Sequence, residues 1–133
     1  MTAIGPGLTP AFAPERLCAA SELQEKGKAV LFDVIHFREP ARAFALRFEG
    51  RVVAYLNRCV HVPTELDWQP GEFLDADREF IICSIHGATY EPKSGRCVGG
   101  PCGGGRLKTI DVEERDGELW WQPSRDTRAV PRE

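Results

Sequence analysis

The chain has 133 residues, of which 42% are hydrophobic and 28% charged, and its net charge is −3. This length suits a single domain with one core, and this balance is far from the composition of disordered chains. The basic residues are scattered, which excludes the electropositive patch of a nucleic-acid-binding protein. No apolar run approaches the roughly 20 residues that span a bilayer, so we expect a soluble protein that does not enter a membrane.

The N-terminal segment and the cysteine count both favour the cytoplasm. Residues 1–16 contain several prolines but neither the basic region nor the unbroken apolar stretch of an export signal, so we expect a flexible arm. Five cysteines is an odd number in a chain that is large enough to fold without cross-links. A disulfide framework is therefore not expected, and thiols or metal ligands are the alternatives.

The predicted elements are mostly short strands. The segment SELQEKG at 21–27 predicts one helical turn, capped by Ser21, with Gln24 in a capping box and Gly27 at its end. Segments rich in Val, Ile, Phe and Trp then predict strands in KAVLFDVIHF, RAFALRFEG, RVVAYLN, EFIICS, RLKTIDVEE and ELWWQ. Glu-Gly at 49–50 and Asp-Gly at 116–117 are suitable hairpin turns.

This pattern predicts an all-β domain, built as a small antiparallel sandwich or open barrel. We expect the domain to span residues 17–122 and a C-terminal tail to occupy residues 123–133. The glycine-rich stretch at 91–106 has the composition of a linker, but strands resume after it. It is therefore predicted to be a loop of the domain whose tight turns pass close to a buried object.

Two cysteine–histidine pairs are the strongest chemical signal in the sequence. Cys59 and His61 form C-x-H, and Cys83 and His86 form C-x-x-H, each where a predicted strand gives way to a loop. Thiolates and imidazoles are the ligands that zinc and iron–sulfur clusters prefer. The sequence therefore predicts one metal-containing cofactor bound by these four side chains.

The arrangement resembles the Rieske family of [2Fe–2S] proteins, in which two such loops hold one cluster. Leu66, Gly87, Tyr90, the Ser-Gly pair at 94–95 and the Gly-Gly-Pro that ends at Pro101 also match the family pattern. The resemblance covers roughly residues 28–121 and implies a cluster-binding part at about 57–106.

The resemblance also implies how the cluster is held. One [2Fe–2S] cluster per chain is expected, with Cys59 and Cys83 on one iron and His61 and His86 on the other. Gly87, Tyr90 and Pro101 are expected next to these ligands, with the Tyr90 hydroxyl donating to a cluster sulfur and Pro101 in a loop that covers the cluster.

Residues that depart from the family pattern indicate which branch of the family to expect. Members that oxidise quinols carry two further cysteines where this chain has Thr64 and Ile85, so the quinol-oxidising branch is not expected. Ala88 replaces a serine that raises the potential in those members. Val60 and Pro63 replace the proline and glycine that are common in the first loop of the related ferredoxins.

The resemblance implies a cytoplasmic electron carrier rather than an enzyme. The expected function is that of an oxygenase-associated ferredoxin, which carries single electrons from a flavin-dependent reductase to a terminal oxygenase-like enzyme. One alternative is a small Rieske-like subunit of a larger reductase, of the nitrite reductase type. The other is a Cys2His2 zinc site that stabilises an interaction module.

Five further residues lie outside this cluster motif. Cys97 and Cys102 either pack in the interior or form a reversible thiol pair. Cys18 and His36 are expected to be core or strand-face residues. Trp68 lies in a predicted loop, where it either packs or helps to dock a partner.

Overall fold

The structure is a computed structural model that describes residues 12–60, 64–83 and 87–131. These ranges contain strands and one short 3-10 turn but no α-helix, which confirms the all-β prediction. The strands are β1 (Glu15–Ala19), β2 (Val30–His36), β3 (Glu39–Phe48), β4 (Arg51–Leu56), β5 (Ile81–Ile82), β6 (Thr89–Tyr90), β7 (Cys97–Gly99), β8 (Asp111–Arg115), β9 (Glu118–Gln122) and β10 (Thr127–Ala129).

The strands form three antiparallel sheets. Their orders are β10-β2-β3-β4, β1-β9-β8 and β5-β6-β7. The free edge of β4 is bonded to the segment before β8: the Leu56 N–H donates to the Lys108 carbonyl and the Ile110 N–H to the Ala54 carbonyl. This contact curls the first two sheets into one small barrel-like body. Of the loops described below, the first follows β4 of the larger sheet, and the other two belong to the β5-β6-β7 sheet.

Two-residue turns connect the hairpins. Glu49 and Gly50, and likewise Asp116 and Gly117, have positive φ as the predicted turns require. The turn between β2 and β3 was not predicted, because Phe37 reads as the last residue of a strand. Phe37 and Arg38 adopt φ of 48° and 69° instead, since the pairing of His36 with Glu39 leaves only two residues for the turn.

The predicted helical turn at 21–27 is misplaced. The structure has a 3-10 turn at Ala20–Glu22, and the Ala19 N–H donates to the Glu22 carboxylate at 3.1 Å. Ser21 therefore lies inside the turn rather than capping it. The Arg47 guanidinium holds the turn from the neighbouring sheet by donating to the Ala20 carbonyl.

Both predicted domain ends differ from the structure. Strand β1 begins at Glu15, two residues inside the predicted arm, and residues 1–11 lie outside the described ranges. Part of the predicted tail belongs to the fold, because β10 pairs along β2. The Thr127 hydroxyl lies 2.8 Å from Nδ1 of His36, which is buried as predicted. A three-residue strand has too short a pattern for its sequence to predict it.

The interior is divided into two apolar clusters. One lies between the β1-β9-β8 sheet and the strands that face it, and contains Cys18, Leu119 and Trp121. The burial expected of Cys18 is confirmed. The other begins at Phe44 and Tyr55 of the larger sheet and continues outward into the loops. Among the described residues, no helix is long and apolar enough to cross a membrane.

Candidate metal centre

The first cysteine loop follows β4. The Cys59 N–H donates to the Thr64 carbonyl at 2.8 Å, which closes a tight loop around the intervening residues. The Asn57 side chain stabilises the far end of this loop, where its Oδ1 accepts a hydrogen bond from the Leu66 N–H at 2.7 Å. Leu66 is fully buried, so the loop is anchored in the interior at both ends.

The second cysteine loop follows β5 and closes in the same way. The Cys83 N–H donates to the Ala88 carbonyl at 2.8 Å, and the Gly87 N–H donates back to the Cys83 carbonyl at 3.0 Å. In both loops the cysteine amide therefore reaches the carbonyl five residues further along the chain. In sequence, each loop encloses one predicted ligand histidine, but His61 and His86 lie outside the described residues.

The two thiols share one apolar environment. Cys59 is 3% exposed and Cys83 is 2% exposed, and both belong to the cluster that contains Tyr90 and Cys102. A buried thiol in apolar surroundings is inert unless a metal or a cation stabilises its thiolate. The environment of these thiols therefore suits metal ligands that are shielded from water.

The Tyr90 hydroxyl is directed at the first of these thiols. Its oxygen lies 3.4 Å from Cys59 Sγ and accepts a hydrogen bond from the Val60 N–H at 3.2 Å. The hydroxyl hydrogen thus remains for the sulfur. Burial, and next the contact with Cys59, raise the pKa of Tyr90 above its usual value, so that the phenol stays protonated and able to donate.

A third loop packs against both cysteine loops. We call residues 97–105 the cap loop. A Cβ on Gly100, whose φ is +79°, would lie 2.7 Å from the Gly87 carbonyl oxygen, and a Cβ on Gly105 would lie 2.5 Å from Cγ1 of Val60. These close approaches account for Gly100 and Gly105, where the cap loop touches the second and the first cysteine loop, and Pro101 is exposed between the two contacts.

Cys97 and Cys102 form a disulfide within the cap loop. Of the two roles left open for this pair, the structure has the two thiols joined, and Cys18, Cys59 and Cys83 remain outside any disulfide. The sequence signal of the pair is the C-x-x-x-x-C spacing inside a glycine-rich turn, which brings two side chains together without any framework of cross-links.

Asn57 is the site residue that the sequence did not single out. It is 4% exposed, and besides holding Leu66 it donates from Nδ2 to the Asp67 carboxylate at 3.1 Å. A polar residue directly after a buried strand and two positions before Cys59 was the available signal.

The predicted loop residue Trp68 is 46% exposed, and its indole N–H donates to the Leu74 carbonyl.

The described donor set fits an iron–sulfur cluster. Two shielded thiols, a hydroxyl donor beside one sulfur and a covering loop are the features that bind such a cluster and tune its potential. Within residues 12–60, 64–83 and 87–131 no three metal-ligating side chains come together, and both predicted histidine ligands fall in the gaps.

An all-β fold with two buried cysteine loops beneath a glycine-rich cap is an arrangement typical of small iron–sulfur proteins. The sequence model of the Rieske [2Fe-2S] domain matches residues 14–111, and the chain belongs to this family. The recognition made from the sequence is thereby confirmed, and the cofactor that this family implies is one [2Fe–2S] cluster. No curated protein matches the chain in sequence.

Solved structures share the fold. The ferredoxin of carbazole 1,9a-dioxygenase from Nocardioides aromaticivorans IC177 is 23% identical, with a TM-score of 0.66, and the match covers 84% of this chain and 99% of that one. The Sphingomonas yanoikuyae B1 ferredoxin is 22% identical, with a TM-score of 0.61, over 84% and 100% of the two chains. A complex of reduced oxygenase and oxidised ferredoxin in carbazole 1,9a-dioxygenase matches at 22% identity and a TM-score of 0.62, over 82% and 92%.

Proposed function

We propose that this chain is a one-electron carrier whose [2Fe–2S] cluster is bound by Cys59, Cys83, His61 and His86. The observation that carries the proposal is the matched pair of closed loops, each with a buried thiol at its start, in a chain of the Rieske [2Fe–2S] domain family. The two cysteines would hold one iron and the two histidines the other. The bound cluster supplies reversible uptake of one electron.

The chain's own residues set the conditions for that electron. Two thiolates and two neutral imidazoles leave less negative charge on a cluster than four thiolates do, which makes reduction easier. The Tyr90 hydroxyl beside Cys59 stabilises negative charge on the sulfur and acts in the same direction. Ala88 offers no side-chain donor, so the expected potential lies below that of members with a serine there.

The proposed acceptor is a terminal oxygenase, and the proposed donor is a flavin-dependent reductase, with the whole system in the cytoplasm. Support for the acceptor comes from the structural likeness to two ferredoxins and to a complex that pairs a ferredoxin with an oxygenase. The described surface offers an apolar contact for such a partner. Val60 is 42% exposed and Val98 48% exposed, on the first cysteine loop and on the cap loop that packs against it.

Metal analysis and electron-transfer kinetics test this function together. The purified protein should contain two irons and two acid-labile sulfides per chain and accept one electron from dithionite. In stopped-flow mixing, the reduced protein should be reoxidised by an oxidised Rieske oxygenase. The variant Val98→Asp should slow this step about tenfold, since a buried unpaired charge costs at least about 1.4 kcal/mol, whereas the equally exposed Val130→Asp should not slow it.

Two results would favour one of the alternative functions over the electron carrier. One zinc and no iron after iron-replete expression would indicate a Cys2His2 module that only stabilises the loops. Iron without electron delivery to any oxygenase, together with co-purification of a larger reductase, would indicate a reductase subunit instead.

A further inference from the structure

The cap loop is cross-linked within its own hairpin. The Leu107 N–H donates to the Gly95 carbonyl at 2.9 Å and the Cys97 N–H to the Gly105 carbonyl at 2.8 Å, which close the hairpin at its base. The disulfide between Cys97 and Cys102 lies beyond these bonds, towards the tip. It therefore fixes the shape of the tip and not the attachment of the hairpin to the domain.

The cap loop touches both cysteine loops, one from its tip and the other from near its base. Gly100 lies inside the disulfide ring and approaches the backbone of Gly87 and Ala88. Gly105 lies just outside the ring and packs on Val60, and its N–H donates to the Cys102 carbonyl at 2.9 Å. The cross-link thus constrains the Gly100 contact directly, and it constrains the Gly105 contact only through the Cys102 carbonyl.

The two cysteines of the disulfide differ in burial. Cys102 is 5% exposed and belongs to the same apolar cluster as Cys59 and Cys83. Cys97 is only partly buried, on β7 at the edge of the β5-β6-β7 sheet. Of the two cysteines, Cys97 is thus the one on which an outside thiolate would act, and accessible disulfides are the ones that exchange with thiols.

We propose that the Cys97–Cys102 disulfide is a thiol-exchange site through which a dithiol reductant opens the cap loop and loosens cluster retention. This inference goes beyond electron carriage but rests on the proposed function for its effect on a cluster. The disulfide is a two-electron site, separate from the one-electron cluster, and its natural reductant is a protein or small molecule with two neighbouring thiols.

The exchange balances in two steps. A thiolate of the reductant attacks Cys97 Sγ, the Cys97–Cys102 bond breaks, and Cys102 leaves as a thiolate that takes up a proton. The second thiol of the reductant then attacks the mixed disulfide, Cys97 leaves and is protonated, and the reductant departs as its own disulfide. The chain gains two electrons and two protons.

The expected size of the change in cluster retention follows from the number of residues in the ring that the disulfide closes. Closing a ring between residues five positions apart corresponds to roughly a fortyfold change in the opening equilibrium of the loop. Part of this change is expected to appear as access of water and chelators to the cysteine loops. We therefore expect cluster loss to accelerate by about tenfold when the disulfide is reduced.

The first measurement follows the thiols alone. Protein with and without iron is equilibrated with dithiothreitol over a range of ratios to its oxidised form, alkylated with iodoacetamide and analysed by mass spectrometry. Two alkyl groups should appear together on the peptide that contains residues 97–105, while buried Cys18 stays unmodified in the folded protein. If dithiothreitol in excess leaves this peptide unmodified, the exchange site is refuted whether or not the protein holds a cluster.

The second measurement follows the cluster. Its visible absorbance is recorded in the presence of an iron chelator, for the oxidised wild type, the reduced wild type and the double variant Cys97→Ser/Cys102→Ser. The reduced wild type and the double variant should lose the cluster at equal rates, about tenfold faster than the oxidised wild type. Cys18→Ser is the matched control and should keep the response to dithiol.

The outcomes separate this inference from the proposed function. Alkylation of the pair in a protein that is purified with zinc and no iron after iron-replete expression would leave the exchange site intact and overturn the electron-carrier function. Equal rates of cluster loss in all three samples would overturn the effect on the cluster and leave the electron carrier intact. Hydrogen exchange at the Gly105 amide gives a cluster-independent readout, and it should be faster in the double variant.

Discussion

Replacing Tyr90 by phenylalanine should lower the reduction potential of the cluster. The change removes the hydroxyl 3.4 Å from Cys59 Sγ and keeps the buried ring. A hydrogen bond to a charged group contributes about 1.5–3 kcal/mol, and only its difference between the oxidised and reduced cluster affects the potential. If that difference is about 1 kcal/mol, the potential falls by about 40 mV, since about 59 mV corresponds to 1.4 kcal/mol for one electron.

Protein-film voltammetry at fixed pH measures this shift, and Tyr55→Phe is its matched control. Tyr55 is as buried as Tyr90 and lies in the same apolar cluster, but its hydroxyl donates to the Pro92 carbonyl at 2.7 Å. The control should lose stability without moving the potential by more than about 10 mV. An unchanged or raised potential in Tyr90→Phe, or equal shifts in the two variants, would refute the assignment of Tyr90 as a donor to a cluster ligand.

Three further predictions concern the ligands, the first cysteine loop and the buried His36. Cys83→Ser should abolish iron binding in metal analysis, whereas Cys18→Ser should retain it, and equal iron contents would contradict the ligand assignment. Asn57→Ala leaves the Leu66 N–H without its acceptor, so it should lower the free energy of unfolding in urea by about 1–3 kcal/mol. The variant should also lose the cluster faster. A variant as stable as the wild type would show that the side-chain amide of Asn57 is dispensable. Burial, and next the positive charges of neighbouring basic side chains, lower the pKa of His36 in the folded protein. The neutral imidazole therefore stabilises the fold fully above the unfolded-state pKa of about 6.5. This contribution is lost as the pH falls from the unfolded-state pKa to the lower folded-state pKa. Urea unfolding at several pH values should show this loss in the wild type and not in His36→Gln.

The sequence predicted the strands and turns wherever a local pattern determines them. Alternating hydrophobic residues predicted β3, because side-chain burial follows a local pattern in a strand. Two hairpin turns were predicted from Glu49-Gly50 and Asp116-Gly117, because the positive φ of such turns is also a local requirement. Phe37 at the turn after β2 was missed, since pairing between β2 and β3 overrides its preference for a strand. Strand β10 was missed because its three residues gain their order from β2 and not from their own sequence.

The candidate site was only partly accessible from the sequence. The spacing of the cysteines and histidines predicts the ligands and the family resemblance points to Tyr90, and this set of site residues stays a prediction. The burial of the two cysteines and Tyr90 in one cluster and the direction of the Tyr90 hydroxyl depend on how three loops pack, which no spacing encodes. The pairing of Cys97 with Cys102 was left open for the same reason: a short spacing permits a disulfide, and only the hairpin that closes at Gly95 and Leu107 brings the two sulfurs together.

The central claim is that two thiolates and two imidazoles bind one cluster, and the nitrogen ligands can be counted directly. Protein produced with ¹⁵N-labelled histidine is reduced by dithionite and studied by pulsed EPR. Strong hyperfine couplings from two histidine nitrogens are expected, and His36→Gln should retain both because His36 lies at the β10 side of the fold, hydrogen-bonded to Thr127. A reduced [2Fe–2S] signal without histidine couplings, or a protein with zinc and no paramagnetic centre, would contradict the account.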